Sequence, residues 1–220
     1  MEPLIAEDVS ARLPRGRHAM TRSEVGASQR ARLLRAMTDE VAERGYAATR
    51  ATGVYQRAGV SSRAFYENFT NVRDCFLAAY DECVRLAQTA LGAAGPAARS
   101  DPLAGFVRML DTYLHLLVDH PNIARTFLVE VYSAGSEARQ RRLQVHAQFV
   151  TGVTAVLAPT RRLHAEDAFA LESLVDAIAF RVTRALLDDS LRGDLDRLRD
   201  DLVRLTLRVC PWLNGGNDRG

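Results

Sequence analysis

Residues 45–80, GYAATRATGVYQRAGVSSRAFYENFTNVRDCFLAAY, constrain the fold more than any other stretch of the chain. In their middle, Ala58-Gly59-Val60-Ser61 reads as a tight corner between two short helices. Thr49 is placed to N-cap a helix running through Arg57, with Val54 and Ala58 four residues apart on one face. Gly59 falls where the chain leaves that helix, a position that often needs positive φ, which glycine adopts without a Cβ clash. Ser61 is a second N-cap residue, and a short helix follows to about Phe69. Helix, glycine turn, helix is the plan of a helix-turn-helix, whose second helix is sized for the major groove of DNA.

The second helix divides into two faces. At 100° per residue, Ser62, Arg63, Tyr66 and Glu67 share one side, and Ala64, Phe65, Asn68 and Phe69 lie largely on the other. Phe65 and Phe69 are expected core anchors. An arginine in the first turn of such a helix can donate two hydrogen bonds to guanine O6 and N7. Ser62 is small enough to let the backbone approach, and the Tyr66 hydroxyl can donate to a phosphate. Glu67 is the dissenting residue: its carboxylate repels phosphates unless it accepts from cytosine N4 or points outward.

The run Gly-Tyr-x-x-Thr, then Ala-Gly-Val-Ser-x-x-x-Phe-Tyr-x-x-Phe, then a helix opening Asn71-Val72-Arg73-Asp74, resembles the DNA-binding domain of the TetR family of bacterial transcriptional regulators. The likeness covers roughly residues 30–80. Ala51 and Tyr55 depart from the family's usual aliphatic and small residues. Asn68 stands where His is common and Val72 where Lys is common, with Arg73 next door to supply the charge. The resemblance implies an all-α protein of about nine helices, with an N-terminal three-helix helix-turn-helix domain and a C-terminal helical domain for ligand binding and dimerisation. It implies a cytoplasmic homodimer that represses transcription at a palindromic double-stranded operator until a small molecule binds. The DNA-contacting set carried over is Thr49, Arg50, Ser61, Ser62, Arg63, Ala64, Phe65, Tyr66, Asn68 and Arg73.

Charge distribution agrees. The formal net charge is only +2, but between Val9 and Arg35 seven arginines face the single acid Glu24. Residues 71–220 hold 18 arginines and 19 acids, so positive charge concentrates at the helix-turn-helix end, as phosphate neutralisation requires. All 29 basic side chains are arginine, a bias better explained by a GC-rich coding sequence than by function. Cys75, Cys83 and Cys210 are an odd count without C-x-x-C spacing, against a disulfide framework or a zinc site and in keeping with a reducing cytoplasm. No apolar stretch reaches the length of a membrane span, and no hydrophobic signal core opens the chain.

Along the chain, residues 1–27 are expected to form a mobile basic arm, with Arg12, Arg15, Arg17 or Arg22 in reach of a minor groove or a phosphate. Residues 28–91 form the helix-turn-helix domain and connecting helix. Ser28 caps a bracing helix with Leu33, Leu34, Met37 and Val41 as its buried stripe, and a helix from Asn71 to about Leu91 buries Phe76, Tyr80, Val84 and Ala87. By resemblance, displacement of that connecting helix transmits induction. LGAAGPAARS at 91–100 is a break, and residues 101–213 form the effector-binding and dimerisation domain. Its helices are expected over Pro102–His120, Asn122–Ala134, Glu137–Leu157, Glu166–Asp188 and Leu195–Leu213. In the last, Leu195, Leu198, Leu202, Leu205, Val209 and Trp212 alternate at three and four, a stripe for either an intramolecular core or a partner helix. The family's habit of dimerising through its last two helices favours the partner.

The effector would lie among residues 102–184, with candidate contacts Phe106, Met109, Tyr113, Phe127, Glu130, Tyr132, His146, Phe149 and Phe180. Glu130 and His146 are polar groups near apolar stripes that need partners if buried. The expected effector is mostly apolar with one or two polar handles. No cofactor or metal site is expected. There is no G-x-S-x-G, no H-E-x-x-H and no Walker lysine, so catalysis is not expected. The competing reading is a helical adaptor whose helix-turn-helix no longer binds DNA, motivated by Glu67 and Val72.

Overall fold

The computed structural model describes residues 22–94 and 101–213. Among them lie nine α-helices and no strand: α1 (Arg22–Arg44), α2 (Ala51–Arg57), α3 (Ser62–Asn68), α4 (Val72–Ala94), α5 (Pro102–Asp119), α6 (Pro121–Leu128), α7 (Ser136–Leu157), α8 (Ala165–Leu187) and α9 (Leu195–Val209). Short 3-10 turns at Tyr46–Ala48, Glu130–Ala134 and Pro211–Leu213 complete the architecture. The all-helical fold class expected from the sequence is the one observed.

Capping chemistry accounts for several helix starts. Asp101 accepts from the Ala104 amide at 2.9 Å with Pro102 at the first helical position, so α5 starts there. Asn71 Oδ1 accepts from the Asp74 amide at 2.9 Å, and Asp74 reaches back to the Thr70 amide at 2.8 Å, which fixes the start of α4. Two boundaries differ from expectation. The first helix begins at Arg22 rather than Ser28, so residues 22–27 belong to it; the rest of the expected arm, with Arg12, Arg15 and Arg17, lies outside the described residues. The segment expected as one helix from Asn122 to Ala134 is α6 followed by a 3-10 turn.

The chain divides into two compact units. The first takes residues 22–86 together with 125–138; the second takes 87–94, 101–124 and 139–213. Thus α4, α6 and α7 each contribute residues to both. The core of the first unit is Leu33, Met37, Val41, Val54, Phe65, Phe69, Phe76 and Tyr80, all essentially without solvent contact. In the second unit Phe106, Leu110, Leu114, Leu157, Leu171, Leu174, Val182 and Leu202 are buried. Of the six stripe residues on α9, Leu195, Leu205, Val209 and Trp212 stay half-exposed. Leu198 and Leu202 are buried within the unit, where α9 packs on α5 and α8, and Trp212 donates its indole N–H to the Leu157 carbonyl at 3.2 Å.

Cys75 and Cys83 are buried, and that burial pushes both thiols up, Cys83 to about 12. The unfolded thiols ionise near the ordinary value of about 8.5 while the native ones stay protonated. The native state then binds more protons than the unfolded one, so this contribution is present below about pH 8.5 and is lost as pH rises. We expect urea-unfolding free energy to fall between about pH 8.5 and 10 by up to ~1.4 kcal/mol per pH unit for each thiol, and the doubly substituted Cys75→Ala, Cys83→Ala protein to have a flatter profile.

Candidate DNA-binding site

The corner between α2 and α3 is built as its residues require. Gly59 takes φ +62°, its amide donates to the Gln56 carbonyl at 3.1 Å, and the Val60 amide reaches back to Tyr55 at 3.0 Å. This pair of bonds is a Schellman motif, and its left-handed residue is the one glycine holds at least cost. Ser61 follows as N-cap of α3, its Oγ accepting from the Ala64 amide at 3.1 Å. Below, Phe65 and Phe69 sink into the core with rings 5.8 Å apart, and Tyr55 meets Phe65 at 6.5 Å. The buried phenyls leave the opposite edge of α3, Ser62, Arg63 and Tyr66, in solvent. Tyr66 leans edge-on against Phe65 at 5.2 Å, so its ring is propped while 59% of the residue stays exposed.

The ten expected DNA-contacting residues therefore separate. Ser61, Ser62, Arg63 and Tyr66 line one accessible edge, with Arg50 and Arg73 also exposed. Asn68 is half-buried and donates to the Ala64 carbonyl at 2.8 Å. Thr49, Ala64 and Phe65 are 3%, 6% and 0% exposed, so their side chains are part of the core. Thr49 does not cap α2. Its hydroxyl donates to the Gly45 carbonyl at 2.9 Å, and Arg50 is the N-cap residue, its guanidinium folded onto the Ala47 and Thr49 carbonyls at 2.9 and 3.0 Å.

The arginines differ in what they do. Arg63 Nε donates to Glu67 Oε1 at 2.8 Å, one helical turn away, with 87% of the Arg63 side chain exposed. That hydrogen bond and the neighbouring negative charge hold the Arg63 guanidinium protonated more firmly than usual. Arg30 lies over the Phe69 ring at 4.6 Å, and Arg32 donates to the Ala58 carbonyl at 3.1 Å, closing the end of α2. These two belong to the basic N-terminal run but serve the fold. Sequence reasoning missed a further brace: Glu40, 5% exposed on α1, pairs with Arg57 on α2 at 3.1 Å and Arg44 at 3.0 Å. Arg57 also pairs with Glu43, which lowers that carboxyl below its ordinary range. A Cβ at Gly53 would stand 2.3 Å from Glu40 Oε1, and that glycine opposite a buried acid was the available signal.

The nine expected effector contacts also separate. Phe106 is buried, and Met109, Tyr113, His146 and Phe149 are half-buried, all within the second unit. Tyr113 and Phe149 meet at 6.1 Å, and His146 Nε2 lies 2.9 Å from Asp176 Oδ1. Burial pushes the Tyr113 hydroxyl up to about 12. Phe180 stands 69% exposed on α8. Phe127, Glu130 and Tyr132 belong to the first unit. Phe127 stacks on Tyr80 at 5.3 Å, Glu130 accepts from the Tyr46 amide at 2.9 Å, and Tyr132 is 54% exposed. Among the described residues no group of three or more His, Cys, Asp or Glu is placed to hold a metal ion, and no helix is long and apolar enough to cross a membrane.

Residues 33–79 match the family described as bacterial regulatory proteins, tetR family. The fold is shared with a TetR-like transcriptional regulator from Rhodococcus sp. RHA1 (TM-score 0.68, 17% identity, 90% of this chain and 100% of that one). It is shared too with the fatty acid degradation regulator FadR from Bacillus halodurans (0.63, 16%, 80% and 94%). A third similar structure is FadR from Bacillus subtilis in complex with stearoyl-CoA (0.62, 15%, 78% and 96%). No curated protein matches the chain by sequence. The family match covers the helix-turn-helix residues, and over the rest of the described chain the likeness to these structures is one of fold.

The corner is testable by itself. Ser61→Ala, which leaves the Ala64 amide unsatisfied, and Gly59→Ala, which forces a Cβ into left-handed backbone, are each expected to cost about 1–2 kcal/mol by urea unfolding.

Proposed function

We propose that the chain is a cytoplasmic homodimeric repressor that binds a palindromic operator and is released by a small, mostly apolar effector. The observation that carries this reading is the Ser62–Arg63–Tyr66 edge of α3, exposed and rigidly backed by the buried Phe65 and Phe69. A rigid helix edge with an arginine in its first turn meets the requirements of direct base readout in the major groove. One helix of seven residues spans too few base pairs for a specific site, so a two-fold assembly is needed.

The assembly is supported by α8, which carries large apolar side chains on two sides. Leu171, Leu174, Ile178 and Val182 point into the unit, while Phe169, Phe180 and Leu187 lie on the opposite side, 72%, 69% and 59% exposed. Three large apolar side chains in one row along a helix are a natural isologous contact. Support for an apolar effector comes from Phe106, Met109, Tyr113 and Phe149 in the second unit, and from the stearoyl-CoA bound to a protein of the same fold.

The Arg63–Glu67 pair gives the adaptor reading its one supporting observation, because it partly neutralises the edge. Binding to a randomised duplex library at several salt concentrations separates the two readings. The repressor enriches one palindromic site, and its affinity falls steeply with salt, about 10³-fold or more between 50 and 200 mM for a dimer neutralising six or more phosphates. An adaptor enriches nothing.

Two substitutions follow. Arg63→Ala is expected to cost about 1–3 kcal/mol at one base position per half-site and to relax specificity there, read out by competition with base-substituted duplexes. Phe180→Asp is expected to yield a folded monomer in sedimentation analysis, with specific DNA affinity lost alongside the dimer.

A further inference from the structure

Glu130 stands 84 positions from Tyr46, in the 3-10 turn between α6 and α7, yet it is built into the N-terminal unit. The residue is 8% exposed. Oε2 accepts from the Tyr46 amide at 2.9 Å, and Oε1 lies 3.7 Å from Arg125 Nε. The Tyr46 amide opens the turn Tyr46–Ala48, where α1 hands over to α2, and Gly45 just before it takes φ +75°. A Cβ at Gly45 would lie 3.5 Å from Oε2, so the acid packs directly on the bend. The segment around Glu130 is held from three further sides. Thr126 donates to the Thr38 carbonyl at 3.4 Å, Phe127 stacks on Tyr80, and Glu137 lies 3.9 Å from Arg73.

We propose that Glu130 is a positioning residue for DNA recognition: by holding the Gly45–Ala48 bend it sets the tilt of α2 and α3. This rests on the DNA-binding reading above and adds to it a hold at the entrance of the helix-turn-helix. The bend has a glycine in left-handed backbone, and the Tyr46 amide is among the groups a 3-10 start leaves without a partner inside the turn. A buried side-chain oxygen accepting that amide is a directional hold, and it is lost whenever the segment carrying it shifts.

The test uses the full chain and the duplex it selects from a randomised library. Glu130→Ala is expected to bind that duplex at least about tenfold more weakly at a temperature where circular dichroism shows it folded. Glu130→Gln, whose amide oxygen still accepts from Tyr46, is expected within about threefold of the wild type. In parallel, hydrogen exchange at the Tyr46 amide is expected to be slow in the wild type and fast in Glu130→Ala. If Glu130→Ala does not fold, Glu130→Asp, one methylene short of the amide, takes its place with the same expected loss. Wild-type affinity in the folded alanine or aspartate variant overturns the proposal, as does Glu130→Gln as weak as Glu130→Ala, or a wild-type Tyr46 amide exchanging like a free one. A wild type that selects no duplex defeats the DNA-binding reading instead, and the Tyr46 exchange comparison still decides whether Glu130 holds the bend.

Discussion

The interaction on which the site depends is the burial of Phe65 and Phe69 beneath a helix of only seven residues. So short a helix has little stability of its own, since helix nucleation is costly and few hydrogen bonds repay it. Its persistence comes from below, where the two rings enter the core, and from its start, where the Ser61 hydroxyl satisfies an otherwise orphaned amide. Both anchors also fix its rotation. With Phe65 and Phe69 inward, Ser62, Arg63 and Tyr66 have to point outward, so the side that meets a partner is settled by the side that does not.

Much of this was legible because the local rules point the same way. Gly59 was readable as left-handed and Ser61 as a cap, since few residues do either job and their spacing matched a corner. Thr49 misled for an instructive reason: threonine caps well, but its hydroxyl found the Gly45 carbonyl in the preceding bend, leaving Arg50 at the cap position. Carrying a family's contact set over by position drew Ala64 and Phe65 into it, although helical periodicity alone had already turned Phe65 inward.

Long-range partners were not legible. Glu130 was recognisable as an acid needing company, but no pattern in the sequence links it to an amide 84 positions away. The stripe on α9 was read by period without knowing which surface it would meet; Leu198 and Leu202 are buried where α9 packs on α5 and α8, and the other four residues stay half-exposed. On α8 the opposite happened: the eye follows Leu171, Leu174, Ile178 and Val182, while Phe169, Phe180 and Leu187 repeat at longer intervals and surface only when burial is known. Periodicity finds faces; it does not say what covers them.

The account's central claim, that the α3 edge meets nucleotides while its phenyl face stays inside, is tested most directly by hydroxyl-radical footprinting of the protein with and without its selected duplex. Tyr66 is expected to be readily oxidised in the free chain and protected on DNA, with Phe65 and Phe69 unreactive in both states. Unchanged oxidation of Tyr66 on a bound duplex, with protection elsewhere on the chain, contradicts it.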